Sequence, residues 1–512
     1  MGEAASSVTA DSGSSRRRTA GYARYIFFVM FVINLLNYMD RYVFTGASNV
    51  IAQELHLSID QVGYIASAFL IVYTLGTIPF GIWADRASRK NVIAVCITIW
   101  SLATVFTAFT NSFFTMFLSR MVLGVGEAGY YPAGTALLSD CYSSRKRAQV
   151  MSRWTMGSLI GLMIGFIVGG VVAGLGYGMW RYAFLFTGIP GLLLALLAWR
   201  LREPRRNQAD EEELALDPHA FVSEGEMVDG PHTPAAPGRN QAGEEAIVEV
   251  VPDPHSFVNE VEVVDAPHIP AVPKNVLAQF GTLLRIRTLV VLIVMQIFAF
   301  FSTGASVVYL PIYLQQKDTL GLKPSVAAIT SGIVVVIGGI VGVMVGAYLA
   351  DAMQRRYPGA RILVCGIGFL LCAPVFALAV TIHSYIIFMI CFFVTVVLIN
   401  IYSGPSTAAT QDVVPSALRA SAVAVSLLFA HLLGDAFAPT IVGVIARLVD
   451  PTHGAHFANN MAGGDLSFAL LITCVPTLLI AGFVGLFGAR FMRSDLEAAL
   501  QVDRLARSQQ NL

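Results

Sequence analysis

Charge is what this sequence has least of. Of its 512 residues only 13% are Asp, Glu, Lys or Arg, against 55% hydrophobic, and mean hydropathy is +0.67. A soluble domain carries roughly 25% charged residues, so a water-soluble globular fold is excluded. Basic and acidic residues balance at 33 each, leaving formal net charge at zero and no basic excess for nucleic acid. Cysteine is scarce as well. Cys96, Cys141, Cys365, Cys372, Cys391 and Cys474 lie in or beside apolar stretches without C-x-x-C spacing, so they read as small apolar packers, not a disulfide framework. No nucleotide-binding loop, nucleophile elbow or metal-ligand cluster is legible, so no enzyme activity, cofactor or metal is expected. A cleavable signal peptide is not expected either, because the polar start runs into an apolar helix with no small-residue cleavage site after it.

What the chain does have is long apolar runs. Twelve occur, at about 23–47, 59–83, 91–110, 113–138, 151–174, 180–200, 288–314, 325–349, 361–381, 384–409, 420–447 and 466–490. Runs of about 20 residues match a bilayer core roughly 30 Å thick, so each reads as a transmembrane helix. Internal residues such as Pro132, Gly165, Gly169 and Pro405 are tolerated in membrane helices. Basic clusters precede the first segment (Arg16, Arg17, Arg18, Arg24) and follow the second, fourth, sixth, eighth and tenth. By the positive-inside rule both termini face the cytoplasm.

The chain repeats itself. GIWADRASRK (81–90) after the second segment returns as AYLADAMQRR (347–356) after the eighth, pairing Asp85 with Asp351, Arg89 with Arg355 and Lys90 with Arg356 at an offset of 266. After the fourth and tenth segments, Asp140 matches Asp412 and Arg147 matches Arg419 at 272. Two matches at nearly one offset describe two six-helix halves in parallel. The expected organisation is a disordered tail (1–22), a first half (23–200), an acidic linker (201–280), a second half (281–492) and a cytoplasmic tail (493–512). The linker carries its own duplication, RNQADEEELALDPHAFVSEGEMVDGPHTPAAP (206–237) against RNQAGEEAIVEVVPDPHSFVNEVEVVDAPHIPAVP (239–273). It is too polar to bury a core and is expected to be mostly disordered.

Charges inside the apolar segments mark the candidate site, because ionisable groups at bilayer depth are costly and usually functional. Arg120 and Glu127 are seven residues apart, close to two turns, and share a face. Asp40 and Arg41 in the first segment read either as a helix-end ion pair at the headgroups or as cavity partners of that face, with Asn37 and Tyr38 on the same helix and Tyr130 beyond Glu127. In this second reading Arg120 and Arg41 hold an anionic group, and Glu127 with Asp40 takes up a proton. In the second half His431 and Asp435, four apart, read as an interhelical contact or a proton-linked pair; Gln296, Tyr309 and Asn400 are further cavity candidates.

Gly81, Asp85, Arg86, Arg89 and Lys90 form a loop that resembles the signature G-x-x-x-D-R-x-x-R-[KR] of the major facilitator superfamily. The resemblance implies its twelve-helix, all-α fold and a cytoplasmic gate network, completed here by Asp140, Asp351, Arg355, Asp412 and Arg419. Gly81 would allow close helix approach, and the arginines would pair with acids such as Asp140. LLNYMDRYVFTGA, RMVLGVGEAGYYPA, WRYAFLFTGIPGLLLALLAWRLREP, GPSTAATQDVVP and HLLGDAFAPTIVG together resemble the spinster family of these transporters, its bacterial members in particular. The likeness covers both halves and not the linker. It implies a multi-pass protein of the cell membrane (a bacterial inner or plasma membrane) that moves amphipathic lipids, lysolipid or sphingolipid-like, with proton linkage through Asp40, Arg41, Arg120 and Glu127. It carries no cofactor. The partners are a small-molecule or lipid substrate, protons and membrane lipids, with no nucleic acid, and the chain is expected to be monomeric. The family usually has GEASY where this chain has GEAGYYP, a version nearer the organic-anion and sugar-acid symporters. A non-transporting membrane sensor on the same fold is the remaining class.

Overall fold

Apolar periodicity gives way everywhere to continuous apolar runs, and the chain folds accordingly into helices. The computed structural model describes residues 2–206, 208–211, 276–354, 356–357 and 359–510, and no strand occurs among them. The first half comprises α1 (Gly2–Glu54), α2 (Ile59–Arg86), α3 (Arg89–Thr107), α4 (Phe113–Ala128), α5 (Tyr130–Cys141), α6 (Ser144–Ala173) and α7 (Trp180–Trp199). The second begins with α8 (Val276–Leu283), α9 (Arg287–Gln315), α10 (Pro324–Gln354), α11 (Ala360–Thr381), α12 (Tyr385–Asn400) and α13 (Ser403–Asp412). It continues with α14 (Arg419–Phe429), α15 (Ala438–Val449), the short α16 (Ala455–Ala458), α17 (Gly463–Gly488) and α18 (Met492–Gln510). Among the described residues eleven spans are long and apolar enough to cross a bilayer, and α4 with α5 supplies the twelfth. Most of the duplicated linker lies outside the described residues.

Two differences from the expected boundaries stand out. Helix α1 starts at Gly2, over the tail expected to be disordered, because an apolar helix once formed propagates at low cost into Ala- and Arg-containing sequence. Residues 493–510 likewise continue as helix α18. The spans at 113–138 and 384–409 are each broken. One breaks at Gly129, the other at Ile401 and Tyr402, and Gly129 and Ile401 are 272 residues apart, the same offset as Asp140 and Asp412. The break therefore belongs to the repeat. A third irregularity has no counterpart in the first half: between α14 and α15 the helix widens to a π-turn over Ala430–Asp435.

Helices α1 and α6 pack backbone to backbone. Glycines recur every fourth residue on α6, and a Cβ built at Gly161 would meet the carbonyl oxygen of Leu35 at 2.1 Å; at Gly165 it would meet that of Met39 at 2.6 Å and at Gly169 that of Val43 at 2.2 Å. Small residues are what allow such approach where lipid removes the hydrophobic drive for helix association.

The contacts joining the halves concentrate at the end away from the basic loops. There Asn49 donates to Gln315 (3.2 Å) and Asn460 (2.9 Å), Gln53 donates to the Phe457 carbonyl (2.8 Å), and Arg447 pairs with Asp60 (2.8 Å). Thr440 and Ser67 share a hydroxyl contact of 2.8 Å. At the basic-loop end, Leu75, Ile78 and Ile82 of α2 and Met344 and Tyr348 of α10 are exposed. The halves thus enclose a vestibule that is closed at one end and open toward the basic loops. Gly81 sits at this open end with nothing within 4 Å of a built Cβ, so the close approach expected there is not made in this arrangement.

Gly161→Val should lower stability by about 1–3 kcal/mol, the usual cost of overpacking, whereas Gly81→Ala should leave it unchanged. Thermal unfolding of the detergent-solubilised variants measures both.

Candidate functional site

The vestibule ends on charges supplied by α1 and α4. Arg41 donates from Nε (3.0 Å) and Nη2 (2.6 Å) to the same oxygen, Oε2 of Glu127. The Glu127 side chain is fully buried and that of Arg41 is 14% exposed, so the arginine is the member that meets the vestibule. Its guanidinium lies against three rings, with Tyr73 at 4.6 Å and Tyr38 and Phe69 at 5.0 Å. Aromatic faces stabilise a desolvated cation, which is how an arginine is held at this depth. Asn37 lies beside Glu127, whose Oε1 makes no hydrogen bond among the described residues.

Asp40 and Arg120 sit behind this pair. Asp40 is fully buried beside the polar side chains of Thr187 and Trp100. Arg120 is buried under Phe44 (4.6 Å) and Phe184 (5.9 Å); its Nη2 donates to the Arg41 carbonyl (3.3 Å) and its Nη1 has no hydrogen-bond partner among the described residues. The carboxylates of Glu127 and Asp40 act on it electrostatically. The four residues that the sequence puts on two helices are therefore one cluster. Arg120 does not line the vestibule as expected, because two phenylalanine rings cover it.

Across from the cluster, the π-turn presents His431 and Asp435. His431 Nδ1 and Asp435 Oδ2 are 3.0 Å apart, and the imidazole sits edge-on to Phe300 at 4.9 Å. A Cβ on Gly304 of α9 would meet the Asp435 Cβ at 2.6 Å, so this glycine makes room for the turn. The Asp435 charge is felt at Tyr42 of the first half and at Tyr402 at the break of the tenth span. π-turns inside membrane-spanning helices often mark functional positions.

The remaining candidates separate into those near the site and those in packing. Tyr38 stays with Arg41. Asn400 donates to the Val396 carbonyl (2.8 Å) and lines a narrow apolar pouch of about 50 Å³ in the second half, with Ser306, Val335, Phe392 and Ile399. Gln296 is buried on α9 with Oε1 free of hydrogen bonds among the described residues. Tyr130 is not in the site: it is enclosed by Trp100 and Trp154 and donates to the Met30 carbonyl (3.1 Å). Tyr309 is also displaced, to the closed end, where its hydroxyl donates to the Pro439 carbonyl (2.7 Å).

At the basic-loop end Arg89 pairs with Asp140, as expected, and Glu203 caps α3 by accepting from the Arg89 amide (2.7 Å). Lys90 reaches the Trp199 carbonyl (3.3 Å). In the second half Asp412 pairs with Arg361, while Arg419 and Asp351 are exposed. Arg89 and Arg361 are 272 residues apart, the offset of their two aspartates, whereas the motif match at 266 had assigned this role to Arg355. The six-residue difference is an insertion in the second-half loop, and it shifts the paired arginine past the motif. Arg86 is exposed; the side chain of Asp85 and all of Arg355 lie outside the described residues.

Removing one member of a buried ion pair leaves an uncompensated charge, so Glu127→Leu should destabilise by about 3 kcal/mol or more, and the Arg41→Leu/Glu127→Leu pair by less than the sum of the singles. A double-mutant cycle of thermal unfolding measures the coupling. At the basic-loop end, Arg361→Ala should destabilise about as much as Arg89→Ala, because each breaks an ion pair, and Arg419→Ala should not; thermal unfolding compares the three.

A sequence profile described as Major Facilitator Superfamily matches residues 30–439. Protein spinster homolog 1 of Xenopus laevis is 27% identical over 93% of this chain and 82% of its own. The sphingosine-1-phosphate transporter SPNS2 of Danio rerio is 24% identical over 93% of this chain and 86% of its own. Among solved structures, a bacterial homolog of the human lysosomal transporter Spinster, in an inward-facing unoccupied conformation, superposes with a TM-score of 0.68 at 22% identity over 94% of this chain and 98% of that one. A D-xylose-proton symporter superposes with a TM-score of 0.59 at 16% identity over 89% and 97%. These likenesses agree with the twelve spans and the signature loop: the chain belongs to the major facilitator superfamily and is a spinster-like, multi-pass membrane transporter, not an enzyme.

Proposed function

We propose that the protein is a proton-coupled secondary transporter of an amphipathic anion, a lysolipid or sphingolipid-like molecule, working by alternating access. The observation that carries this reading is the Arg41–Glu127 pair at the vestibule floor, with only the arginine exposed. Protonating Glu127 removes its charge and releases the guanidinium, which can then hold a phosphate or carboxylate head group. Loss of the anion restores the ion pair and returns the proton. Asp40 and Arg120 behind it keep the cluster balanced in either state. His431 and Asp435 face the same space from the second half and give the head group a second polar contact.

The narrow pouch bordered by Asn400, Val335, Phe392 and Ile399 gives a hydrocarbon tail an apolar wall to lie along. The relative named as a sphingosine-1-phosphate transporter has a substrate of this build. Gly129-Tyr130-Tyr131-Pro132 favours a second reading, an organic-anion or sugar-acid proton symporter: Tyr131 is 46% exposed and stacks on Trp154, an aromatic platform at the open end that suits a compact polar solute. By the positive-inside rule the open end is the cytoplasmic one, so the conformation described is inward-open.

Proteoliposome flux tests these readings together. A labelled lysophospholipid should move faster than a sugar acid, and a pH gradient should accelerate it. Glu127→Gln should abolish that pH response while leaving the fold intact. Preferential sugar-acid flux would replace the substrate claim, and an unchanged pH response in Glu127→Gln would defeat the coupling claim.

A further inference from the structure

On the face away from the basic loops, three elements converge on one point. Asp450 caps the end of α15, His456 lies on α16 and Asp465 is in the first turn of α17. His456 Nδ1 is 3.3 Å from Asp450 Oδ1 and 2.9 Å from Asp465 Oδ2, and the three ligand atoms lie within 4.8 Å of one another. We propose that these residues bind a divalent metal ion of the zinc class, outside the transport site and independent of the transported substrate.

The geometry fits. Bonds of about 2.0–2.1 Å in a tetrahedral site put neighbouring ligand atoms about 3.3 Å apart, close to the two separations found. Two carboxylates and a neutral imidazole carry two negative charges, which a divalent ion balances, and one nitrogen with two oxygens is a donor set that zinc and manganese accept. Asp450 and Asp465 are nearly buried while His456 is about one-third exposed (34%), leaving an entry side and a free coordination position.

The surroundings hold the ligands in place. Thr452 donates to Asp450 Oδ1 from its amide (2.8 Å) and hydroxyl (2.6 Å), Gly454 donates to Asp450 Oδ2 (2.8 Å), and the His456 amide donates back to the Thr452 hydroxyl (3.0 Å). Asp318, from the loop after α9, accepts from the amides of Gly463 (3.0 Å) and Gly464 (2.9 Å) and so seats the turn that carries Asp465. Such outer contacts orient metal ligands and are part of a metal site. The same segment meets the first half through Phe457 and Asn460, so an ion here would brace the part of the second half that closes on Asn49 and Gln53.

The test uses the full chain in detergent, stripped with chelator, equilibrated with Zn2+ and desalted, with metal counted per chain by mass spectrometry. Imidazoles elsewhere in the chain, His219, His232, His255 and His268 among them, also take up Zn2+, so the difference between variants is what decides. The His456→Ala/Asp465→Asn variant should hold about one Zn2+ fewer than wild type. His456→Asn, the milder change, should bind that equivalent at least ~10-fold more weakly. His383→Ala, on the neighbouring loop, should match wild type. Equal stoichiometry in the double variant and wild type would overturn the proposal and leave the three side chains as a hydrogen-bonded network.

Discussion

Everything about the site follows from a carboxylate and a guanidinium that have been taken out of water together. Moving either ion alone into a low-dielectric interior costs several kcal/mol, and the cost is recovered only when geometry and hydrogen bonds are good. Arg41 meets this condition by placing two donors on one oxygen of Glu127 and by resting on Tyr38, Phe69 and Tyr73. Asp40 and Arg120 extend the same compensation deeper into the first half. The second half carries the looser polar pair and the apolar pouch. The two halves repeat one pattern in sequence, yet the first holds the buried charge cluster and the second the narrow apolar pouch.

Much of the fold was legible because membrane spans announce themselves by length and hydropathy. Eleven of the twelve segments have the length and hydropathy of a span among the described residues, α4 with α5 makes the twelfth, and Arg89 pairs with Asp140. The charge cluster was legible for a different reason: Arg120 and Glu127 are conspicuous in an apolar run, and their spacing fixes a shared face. Assignments failed in two ways, each for a physical cause that a sequence does not carry. Arg361 was missed because a six-residue insertion displaced it from the motif, although its offset from Arg89 equals that between Asp140 and Asp412. Arg120 and Tyr130 were placed at the cavity because a face can be read from spacing; the rings that cover it, Phe44 and Phe184 for one and Trp100 and Trp154 for the other, come from elsewhere in the chain.

The Asp450–His456–Asp465 cluster shows the same limit from the other side. Spacings of six and nine residues match no metal motif, and only the turn of α16 and the start of α17 bring the three ligand atoms together. The π-turn is equally silent in sequence, since the residues of Ala430–Asp435 would serve in an ordinary helix.

The glycine seam between α1 and α6 bears on how such a molecule can move. With carbonyl oxygens of Leu35, Met39 and Val43 already against α6, neither helix can slide or roll past the other without collision. Arg41 therefore travels with α6, and Phe166 of α6 is stacked on Tyr42 at 5.5 Å. Any change of access that moves Arg41 must therefore carry α1 and α6 together as one stiff pair.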